Sequence, residues 1–314
     1  MKKMLLALAM LCVLSGWTPA GEKLTVGFSQ CILDSPFYVS LMDAAKDAAK
    51  ENGVEFIYLD AQSNIQKQNN DIYDLVARGV DALIINPVDP AGVTPAIERA
   101  QQAGIPVIAV DRPVNEEINS FIGRDNRTMG KIVGDKAVLL LGGPGKAKGK
   151  ILELQGDAGG SVMMARRDGF HDAVDKEPGI TVVQSPYCEY VRANAVKATQ
   201  DLLQAHPDIA LIYGHNDDMA LGGLQVLEQA GRADGLYVLG VDGLMEAVEA
   251  IVDGRYHGTA MNDPNDLGKL AVEAAIRLAK KQPQDAEVDA GSRLIDASNA
   301  KDFYNTKDTF ATMK

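Results

Sequence analysis

The stretch ALIYGHND (residues 210–217) shows the pattern that decides the fold. An apolar run typical of a β-strand stops abruptly on the polar residues Asn216 and Asp217. The same pattern occurs in ALIIN (82–86), PVIAVDR (106–112), YVLGVD (237–242) and GTAMND (258–263). Uninterrupted apolar runs are typical of strands buried on both faces, and a helix-like stretch follows every run but the last. The pattern therefore predicts parallel strands joined by helical crossovers, which is an α/β fold.

The polar residues that end these runs predict a ligand site. In an open parallel sheet, ligands bind outside the carboxyl ends of the strands, which is where these side chains lie. Asp, Asn and Arg offer planar, paired hydrogen-bond donors and acceptors, a geometry that suits neighbouring hydroxyl groups. The sequence thus favours a small polyhydroxy ligand. The residues concerned include Asn86, Asp111, Arg112, Asn216, Asp242 and Asn262.

Residues 1–20 have the features of an export signal. Lys2 and Lys3 give a basic start, residues 4–13 form an apolar core too short to span a bilayer, and Ala20 is a small residue suited to cleavage. We expect cleavage after Ala20 and a periplasmic location. An uncleaved anchor helix is the alternative, which the length and the flanking residues disfavour.

The composition argues against several classes of function. The formal net charge of −12 disfavours nucleic acid and anionic membrane surfaces as partners. The Cys and His residues are scattered without metal-site spacing such as CxxC or HxxxH, so we expect neither a metal nor a cofactor. Cys31 and Cys188 follow the export signal; free thiols are the favoured interpretation and a disulfide is the alternative. We expect a monomer.

The strand and helix pattern restarts after residue 125, which predicts two similar α/β lobes. A chain of 314 residues is long enough for two domains of ordinary size. Residues 267–281 are predicted to form a helix and residues 287–296 a strand. The pattern alone assigns neither of them to a particular lobe.

Sequence stretches across nearly the whole chain resemble type I periplasmic sugar-binding proteins, and most closely the ribose- and galactose-binding branch. The stretches are SPFYVSLMDAAKDAA (35–49), INPVDPAGV (85–93), GIPVIAVDR (104–112), IGRDNRTMG (122–130), ELQGDAGG (153–160), ARRDGF (165–170), AHPDIALIYGHNDDMALG (205–222), LGVDG (239–243) and GTAMNDPNDLG (258–268). The resemblance implies two lobes that close over one sugar. It also implies three hinge crossings, near Arg124, Asp263 and Gly291.

The resemblance assigns each part of the chain to a lobe and implies a function. It places residues 21–124 and 263–291 in an N-terminal lobe, and residues 125–262 and 292–314 in a C-terminal lobe. The implied protein is a periplasmic receptor that captures a monosaccharide, such as a pentose, a hexose or a related polyol. It would deliver this ligand to the membrane permease of an ABC importer. Such a receptor is not an enzyme, so no catalytic residues are expected.

Matched residue by residue, the ribose-binding pattern implies a ligand site divided between the lobes. The N-terminal lobe would contribute Ser35, Phe37, Tyr38, Asn86, Asp111 and Arg112. The C-terminal lobe would contribute Arg166, Tyr190, Asn216 and Asp242, with Asn262 at a hinge. Aromatic rings would stack on the apolar faces of the sugar, while the carboxylates accept hydrogen bonds from its hydroxyls and the arginines donate them.

The chain departs from the ribose-binding pattern at several positions. Ser35 stands where ribose binders carry Asn, Val241 replaces a Phe, and Asn262 replaces a Gln. The loop over residues 29–36 is also longer. Residues Val241 and Asn262, each followed by Asp, look more like the galactose type, so the identity of the sugar stays open.

Two local assignments also stay open. Arg167 is the alternative to Arg166 as the inward arginine, because a shift of one residue rotates a helical side chain by about 100°. In the run Asn216, Asp217, Asp218, we expect Asn216 to face the ligand and one of the two aspartates to cap the next helix. A metal site or a catalytic carboxylate pair is the disfavoured interpretation of the same residues.

Other functions fit the same resemblance. The closed receptor could dock on a chemoreceptor or sensor kinase and so serve signalling instead of transport. An exported glycosidase would need two carboxylates across a glycosidic bond, such as Asp111 and Asp242. A sugar-sensing repressor core shares the fold, but the export signal and the missing DNA-binding headpiece disfavour it.

Overall fold

Strands alternate with helices in each half of the chain and form two six-stranded sheets flanked by helices. The structure is a computed structural model that describes residues 23–312, so the predicted export signal lies outside the described residues. The two-lobe α/β fold predicted from the apolar runs is confirmed. Between residues 23 and 312, no helix is long and apolar enough to cross a membrane.

The first lobe combines the start of the described chain with two later elements. Its initial elements are β1 (Thr25–Gln30), α1 (Pro36–Glu51), β2 (Glu55–Asp60), α2 (Ile65–Ala77), β3 (Ala82–Ile85), α3 (Thr94–Gln102), β4 (Val107–Val110) and β5 (Ser120–Gly123).

The second lobe is formed by the middle of the chain. Its elements are α4 (Asn126–Leu140), β6 (Lys148–Leu154), α5 (Ser161–Val174), β7 (Gly179–Gln184), α6 (Arg192–Ala205), β8 (Ile209–Gly214), α7 (Asp217–Gln229), β9 (Tyr237–Asp242), α8 (Met245–Val252) and β10 (Gly258–Met261).

The chain then returns to each lobe once more. Helix α9 (Pro264–Ala279) packs against α1, and β11 (Glu287–Asp289) pairs with β5, so both belong to the first lobe. Strand β12 (Leu294–Ile295) pairs with β10, and α10 (Ala300–Phe303) packs against α8, so both belong to the second. The single strand predicted over residues 287–296 is therefore wrong. It is two strands, one in each lobe, because the chain crosses between the lobes at Gly291, whose φ is 71°.

The two sheets have corresponding strand orders and differ in the direction of one edge strand. The strand order is β11-β5-β4-β3-β1-β2 in the first lobe and β12-β10-β9-β8-β6-β7 in the second. All neighbouring strands are parallel except β10 and β12. The apolar runs form central strands such as β3 and β4, every residue of which is buried, while the edge strands β2 and β7 are partly exposed. The strand ends singled out in the sequence thus lie at the carboxyl edges of two similar sheets.

Glycine allows the returning helix to pack closely on the first lobe. A side-chain carbon at Gly268 of α9 would collide with the backbone carbonyl of Leu41 on α1. Because no side chain separates the two backbones there, α9 lies against the buried face of α1, which carries Leu41, Ala45 and Ala48. This contact fixes the helix that follows the second crossing, and with it one side of the hinge.

Candidate ligand-binding site

A cavity between the two lobes brings together most of the predicted site residues. It contains about 310 Å³ of space free of protein atoms, part of it open to solvent. Nine of the eleven predicted residues form its wall, together with Val162. The two predicted residues that are not on this wall are Asn86 and Arg112. We call this space the inner cavity.

The first turn of α1 provides an aromatic wall. The Ser35 hydroxyl caps the helix by accepting a hydrogen bond from the backbone N–H of Tyr38 (3.4 Å), and Pro36 occupies the start of the helix, where its missing N–H costs nothing. Phe37 and Tyr38 line the inner cavity with ring centroids 5.5 Å apart and planes at 84°. Each exposes only 9% of its surface. Aromatic surfaces held in this way suit the apolar faces of a sugar ring.

Asp111 leaves β4 in a left-handed backbone conformation, with φ 64°. Its N–H donates to the carbonyl of Ile122 (2.9 Å), and the N–H of Arg112 donates to the carbonyl of Val110 (2.7 Å), so the strand ends in a tight turn. Residues other than glycine adopt this conformation rarely, and they do so mostly at functional sites. Burial raises the pKa of Asp111, while the positive charges of Arg112 and, across the cleft, Arg166 oppose that rise.

Arg112 lies at the mouth of the cleft. Its Nε donates to the Tyr38 hydroxyl (3.0 Å), and its guanidinium carbon lies 5.6 Å from the centroid of that ring. Its Nη1 lies 3.6 Å from a carboxylate oxygen of Asp157, which belongs to the second lobe. Arg112 therefore contacts both lobes at the edge of the inner cavity.

Arg166 is held in three directions by its own lobe. Its Nη1 donates to the carbonyl of His215 (2.6 Å), its Nε to Asn126 Oδ1 (2.9 Å) and its Nη2 to Asp242 Oδ1 (3.1 Å). The Arg166 side chain is 4% exposed, whereas that of Arg167 is 33% exposed. Arg166 is the inward arginine of the pair, which answers the question that the helical pattern left open.

Asp242 is the main acceptor of the second lobe. It ends β9 with a φ of 121°, and its Oδ1 accepts a hydrogen bond from Asn262 Nδ2 (3.3 Å) in addition to that from Arg166. Burial raises the pKa of Asp242 to about 6, the negative charge of Asp111 adds to the rise, and Arg166 and Asn262 oppose it. Two carboxylates and one guanidinium thus surround the inner cavity, offering both acceptors and donors to hydroxyl groups.

The residues of the polar run after β8 have roles that differ in part from the prediction. Asn216 lines the inner cavity and also caps α7, since its Oδ1 accepts a hydrogen bond from the N–H of Met219 (2.9 Å). Neither aspartate caps the helix. Asp218 instead accepts hydrogen bonds from Arg192.

Asp217 is fully buried below the site. It accepts hydrogen bonds from the backbone N–H groups of Gly243 (2.8 Å) and Leu244 (2.9 Å), and from the hydroxyls of Tyr256 (2.7 Å) and Thr259 (2.9 Å). Burial, and next the negative charge of Asp242, raise the pKa of Asp217 to about 8. The residue fixes the loop that follows Asp242, a role that the sequence did not reveal.

Two predicted residues keep buried polar atoms without a hydrogen-bond partner among the described residues. These atoms are both ends of the Asn86 amide and the Tyr190 hydroxyl. Asn86 is fully buried behind Asp111, close enough to favour the ionised form of that carboxyl group. A buried polar group without a partner costs about 1–3 kcal/mol. Of these two residues only Tyr190 lines the inner cavity, so its hydroxyl marks a position where a ligand hydroxyl group is stabilising.

A buried hydrogen-bond network holds His215, whose backbone carbonyl accepts a hydrogen bond from Arg166. Glu153 on β6 lies 2.9 Å from Nε2 of His215 and 3.2 Å from Nε2 of His171. Burial disfavours the charge of Glu153, but hydrogen bonds from both histidines outweigh burial and lower its pKa to about 2. The hydrogen bond to Glu153 raises the pKa of His171 to about 9. This network was not predicted, although Glu153, the charged residue within the run ILEL (151–154), is a signal of a buried partner.

One arginine joins the three segments that cross between the lobes. Arg124, fully buried after β5, donates from Nε to the carbonyl of Gly291 (2.7 Å) and from Nη1 to the carbonyl of Asp263 (2.9 Å). Its Nη2 forms an ion pair with Asp266 on α9 (3.1 Å). The resemblance implied a crossing near Arg124 but gave that residue no role.

The two cysteines near the cleft are separate. Cys31 and Cys188 are buried free thiols, and burial raises the pKa of Cys31 to about 11. Between residues 23 and 312, no group of three or more His, Cys, Asp or Glu side chains is arranged to hold a metal ion.

Comparisons with known proteins agree with this architecture. Residues 26–283 match the family model described as a periplasmic binding protein domain. The ribose import binding protein of Escherichia coli strain K12 is 36% identical, over 88% of this chain and 92% of its own length. An ABC-transporter solute-binding protein of Mycobacterium smegmatis with bound glycerol has a TM-score of 0.88 and 53% identity, covering 93% of this chain and all of that one. The fructose-binding periplasmic domain of a hybrid two-component system has a TM-score of 0.81 and 31% identity, covering 88% and 92%.

Proposed function

The chain belongs to the periplasmic binding protein family, and we propose that it is an exported receptor that captures a monosaccharide or related polyol between its lobes. The family consists of solute-binding receptors and not of enzymes. The observation that carries the proposal is the inner cavity, where both lobes present carboxylates, amides, a guanidinium and aromatic rings to one small space. This set of groups matches the alternating polar and apolar surfaces of a sugar.

The residues on the cavity wall are proposed as the ligand contacts. Asp111 and Asp242 accept hydrogen bonds from hydroxyl groups, and Arg166 donates to ring or hydroxyl oxygens. The aromatic side chains pack on the apolar faces of the ligand. The proposed wall contacts are Ser35, Phe37, Tyr38, Asp111, Arg166, Tyr190, Asn216, Asp242 and Asn262. Asn86 supports Asp111 from behind, and Arg112 acts at the mouth.

Ligand capture is proposed to work by closure of the lobes. Two contacts across the cleft support this view: Arg112 lies 3.6 Å from Asp157, and the rings of Phe37 and Phe310 lie 6.0 Å apart, nearly perpendicular. A ligand that contacts both lobes stabilises the form in which these contacts exist, and so shifts the population towards it.

The moving bodies are proposed to be the two lobes with their returning segments. Residues 21–124 with 263–291 form one body, and residues 125–262 with 292–314 form the other. Arg124 lies where their three connections meet, which supports a hinge at that position.

The proposed partner of the closed form is the membrane permease of an ABC importer. Two of the relatives named above support this assignment: one is a ribose import binding protein and the other an ABC-transporter solute-binding protein. We also propose a periplasmic location after cleavage following Ala20, and a monomer that diffuses freely between ligand and permease.

Signalling is a second candidate, supported by one comparison. The fructose-binding domain that shares 31% identity with this chain is the periplasmic part of a hybrid two-component system. A receptor of this shape therefore suits docking on a sensor kinase or a chemoreceptor as well as on a permease.

A thermal-shift screen tests the proposed function. Purified protein is heated with pentoses, hexoses, inositols and linear polyols, and we expect at least one to raise the midpoint of unfolding. A ligand at 100 times its Kd adds about 2.7 kcal/mol to the free energy of unfolding. No stabilisation by any member of the panel would contradict the proposal. Turnover of glycosides by the same preparation would instead favour the exported glycosidase.

A further inference from the structure

A second space adjoins the inner cavity on the side away from the hinge. It shares Ser35, Tyr38 and Tyr190 with the inner cavity, and it contains about 840 Å³ of empty space, part of it open to solvent. Ser63, in the loop after the edge strand β2, also lines it. We call this space the outer cavity. It lies at the mouth of the cleft, and the shared residues form the partition between the two spaces.

The outer cavity contains polar atoms that lack partners. Asp157 Oδ1 and the Tyr190 hydroxyl are buried and have no hydrogen-bond partner among residues 23–312. The nearest approach of Arg112 to the other oxygen of Asp157, 3.6 Å, is too long for a hydrogen bond. Both residues line the outer cavity. A ligand hydroxyl group that reaches either atom supplies the hydrogen-bond partner that it lacks.

The charges around the outer cavity select among substituents. Asp34, Asp157 and Glu189 line it, and Arg112 is its one lining residue with a positive charge. An excess of negative charge in a partly desolvated space disfavours a phosphate or a carboxylate. A neutral group that carries hydroxyls meets no such penalty.

The loop between β1 and α1 gives the outer cavity its wall in the first lobe. Cys31, Ile32, Asp34 and Ser35 all belong to this loop and line the space. By resemblance, this loop is longer than in the ribose-binding pattern. Because these residues stand at the mouth and not on the far side of the inner cavity, the longer loop extends the site outward.

We infer that the outer cavity is a second subsite, which takes a neutral, hydroxyl-bearing substituent on the sugar held in the inner cavity. The ligand class is then a glycoside or a chain-extended sugar with a small polyol group. This inference rests on the proposed function, because it requires a sugar in the inner cavity. Tyr38 and Tyr190 flank the passage between ring and substituent, and Asp157 binds the substituent.

Calorimetry on matched ligands tests the inference. Ribose, galactose and glucose are each compared with the corresponding glyceryl glycoside, in both anomers, and with the same glycoside phosphorylated on the glyceryl group. We expect one neutral glyceryl glycoside to bind about tenfold more tightly than its parent sugar, because the glyceryl group adds a hydrogen bond to a charged group. The phosphorylated form is expected to lose this gain.

Two variants test whether the gain in affinity arises in the outer cavity. Ala158→Phe fills the outer cavity from an exposed position on its wall and is expected to remove the preference for the glyceryl glycoside. Ala103→Phe, an equal substitution at an exposed site beyond α3 on the opposite edge of the first sheet, is expected to retain it.

The outcomes separate the two proposals. Parent sugars that bind while no glyceryl glycoside binds more tightly would overturn the second subsite and leave the proposed function intact. A preference that survives Ala158→Phe would also overturn it. If neither parents nor glycosides bind, the proposed function fails, and the subsite fails with it.

Discussion

Two arginines lie on opposite sides of the cleft, and their surroundings differ. Arg166 donates hydrogen bonds to three acceptors of its own lobe, which leaves its guanidinium fixed beside Asp242. Arg112 donates one hydrogen bond within its lobe, to Tyr38. Its ion pair is with Asp157, which lies in the other lobe. The half of the site in the second lobe is therefore assembled by the lobe itself, whereas the half in the first lobe is completed only when the lobes meet.

This difference separates two contributions to affinity. A group that is already in position when the ligand arrives costs little free energy to order. The loss of such a group removes its contacts with the ligand and also destabilises its own lobe. A group that is completed by closure contributes through the stability of the closed form, and its loss shortens the life of the complex. Each prediction below tests one side of this comparison.

The largest effect is expected from Arg166→Ala. Removal of this guanidinium leaves Asp242 buried without its cation, and breaking a buried ion pair costs about 3–5 kcal/mol. We expect sugar affinity to fall by more than about 100-fold in calorimetry, together with a lower midpoint of urea unfolding. The same substitution at the partly exposed neighbour Arg167 is the control and is expected to change neither quantity measurably. Equal losses in the two variants would contradict the assignment of Arg166 as the inward arginine.

Arg112→Ala is expected to have a smaller effect of a different kind. We expect a loss of about 2 kcal/mol, or roughly 30-fold in affinity, with most of it in a faster dissociation rate measured by stopped-flow fluorescence. Stability of the ligand-free protein should fall less than in Arg166→Ala, because Arg112 donates one hydrogen bond within its lobe, to Tyr38, whereas Arg166 donates three. Unchanged affinity would remove Arg112 from the site, and a loss confined to the association rate would refute its role in closure.

Strand ends were the most informative part of the sequence. The runs that end at Asp111, Asn216 and Asp242 are apolar because they are central strands. Each run ends at the carboxyl edge of its own sheet, and their polar ends meet at the cavity between the two lobes. The prediction of a single strand over residues 287–296 was wrong because a short edge strand and a crossing between lobes have no periodic sequence signal of their own.

The supporting residues were missed for a related reason. Asp217, Glu153 and Arg124 gain their roles from partners 20 or more residues away in the chain, such as Tyr256, His215 and Gly291. A single sequence shows a polar residue but not the partner that the fold brings to it. The helical pattern also could not separate Arg166 from its neighbour, because only the packing of the helix decides which side chain is buried.

The pH dependence of binding tests the carboxylate beside the fixed arginine. Burial raises the pKa of Asp242 from 3.8 to about 6, so this group gains a proton as the pH falls from 7 to 5. Its attraction for Arg166 and its capacity as an acceptor both fall, and we expect sugar affinity to drop by about tenfold over that range. Calorimetry at several pH values measures the change, and the Asp242→Asn variant should show a flatter profile.

The contribution of Asp242 to the free energy of unfolding changes with pH in the opposite direction from its contribution to sugar affinity. Measurements of unfolding and of binding therefore separate the two effects. Because the pKa of Asp242 is higher in the folded protein than in the unfolded chain, its contribution to the free energy of unfolding is fully present below about pH 4 and is lost as the pH rises through about 6. Acid therefore weakens binding without this group destabilising the fold. A wild-type affinity profile that persists in Asp242→Asn would assign the titration to another residue.

The smallest predicted effect concerns an aromatic contact that exists only while the lobes meet. Phe37 of the first lobe and Phe310 of the second have ring centroids 6.0 Å apart at 88°, a favourable edge-to-face arrangement. Such pairs contribute about 0.5–1.5 kcal/mol, so Phe310→Leu is expected to weaken sugar binding by about three- to tenfold, mainly by faster dissociation. Phe303→Leu is the matched control, because Phe303 is equally buried in the second lobe but takes part in no aromatic pair across the cleft within the described chain. Both variants should lose some stability, whereas only Phe310→Leu should shorten the life of the complex. Equal dissociation rates in the two variants would show that the contact between Phe37 and Phe310 does not stabilise the closed form. The contact of Arg112 across the cleft would then remain as the stabilising one.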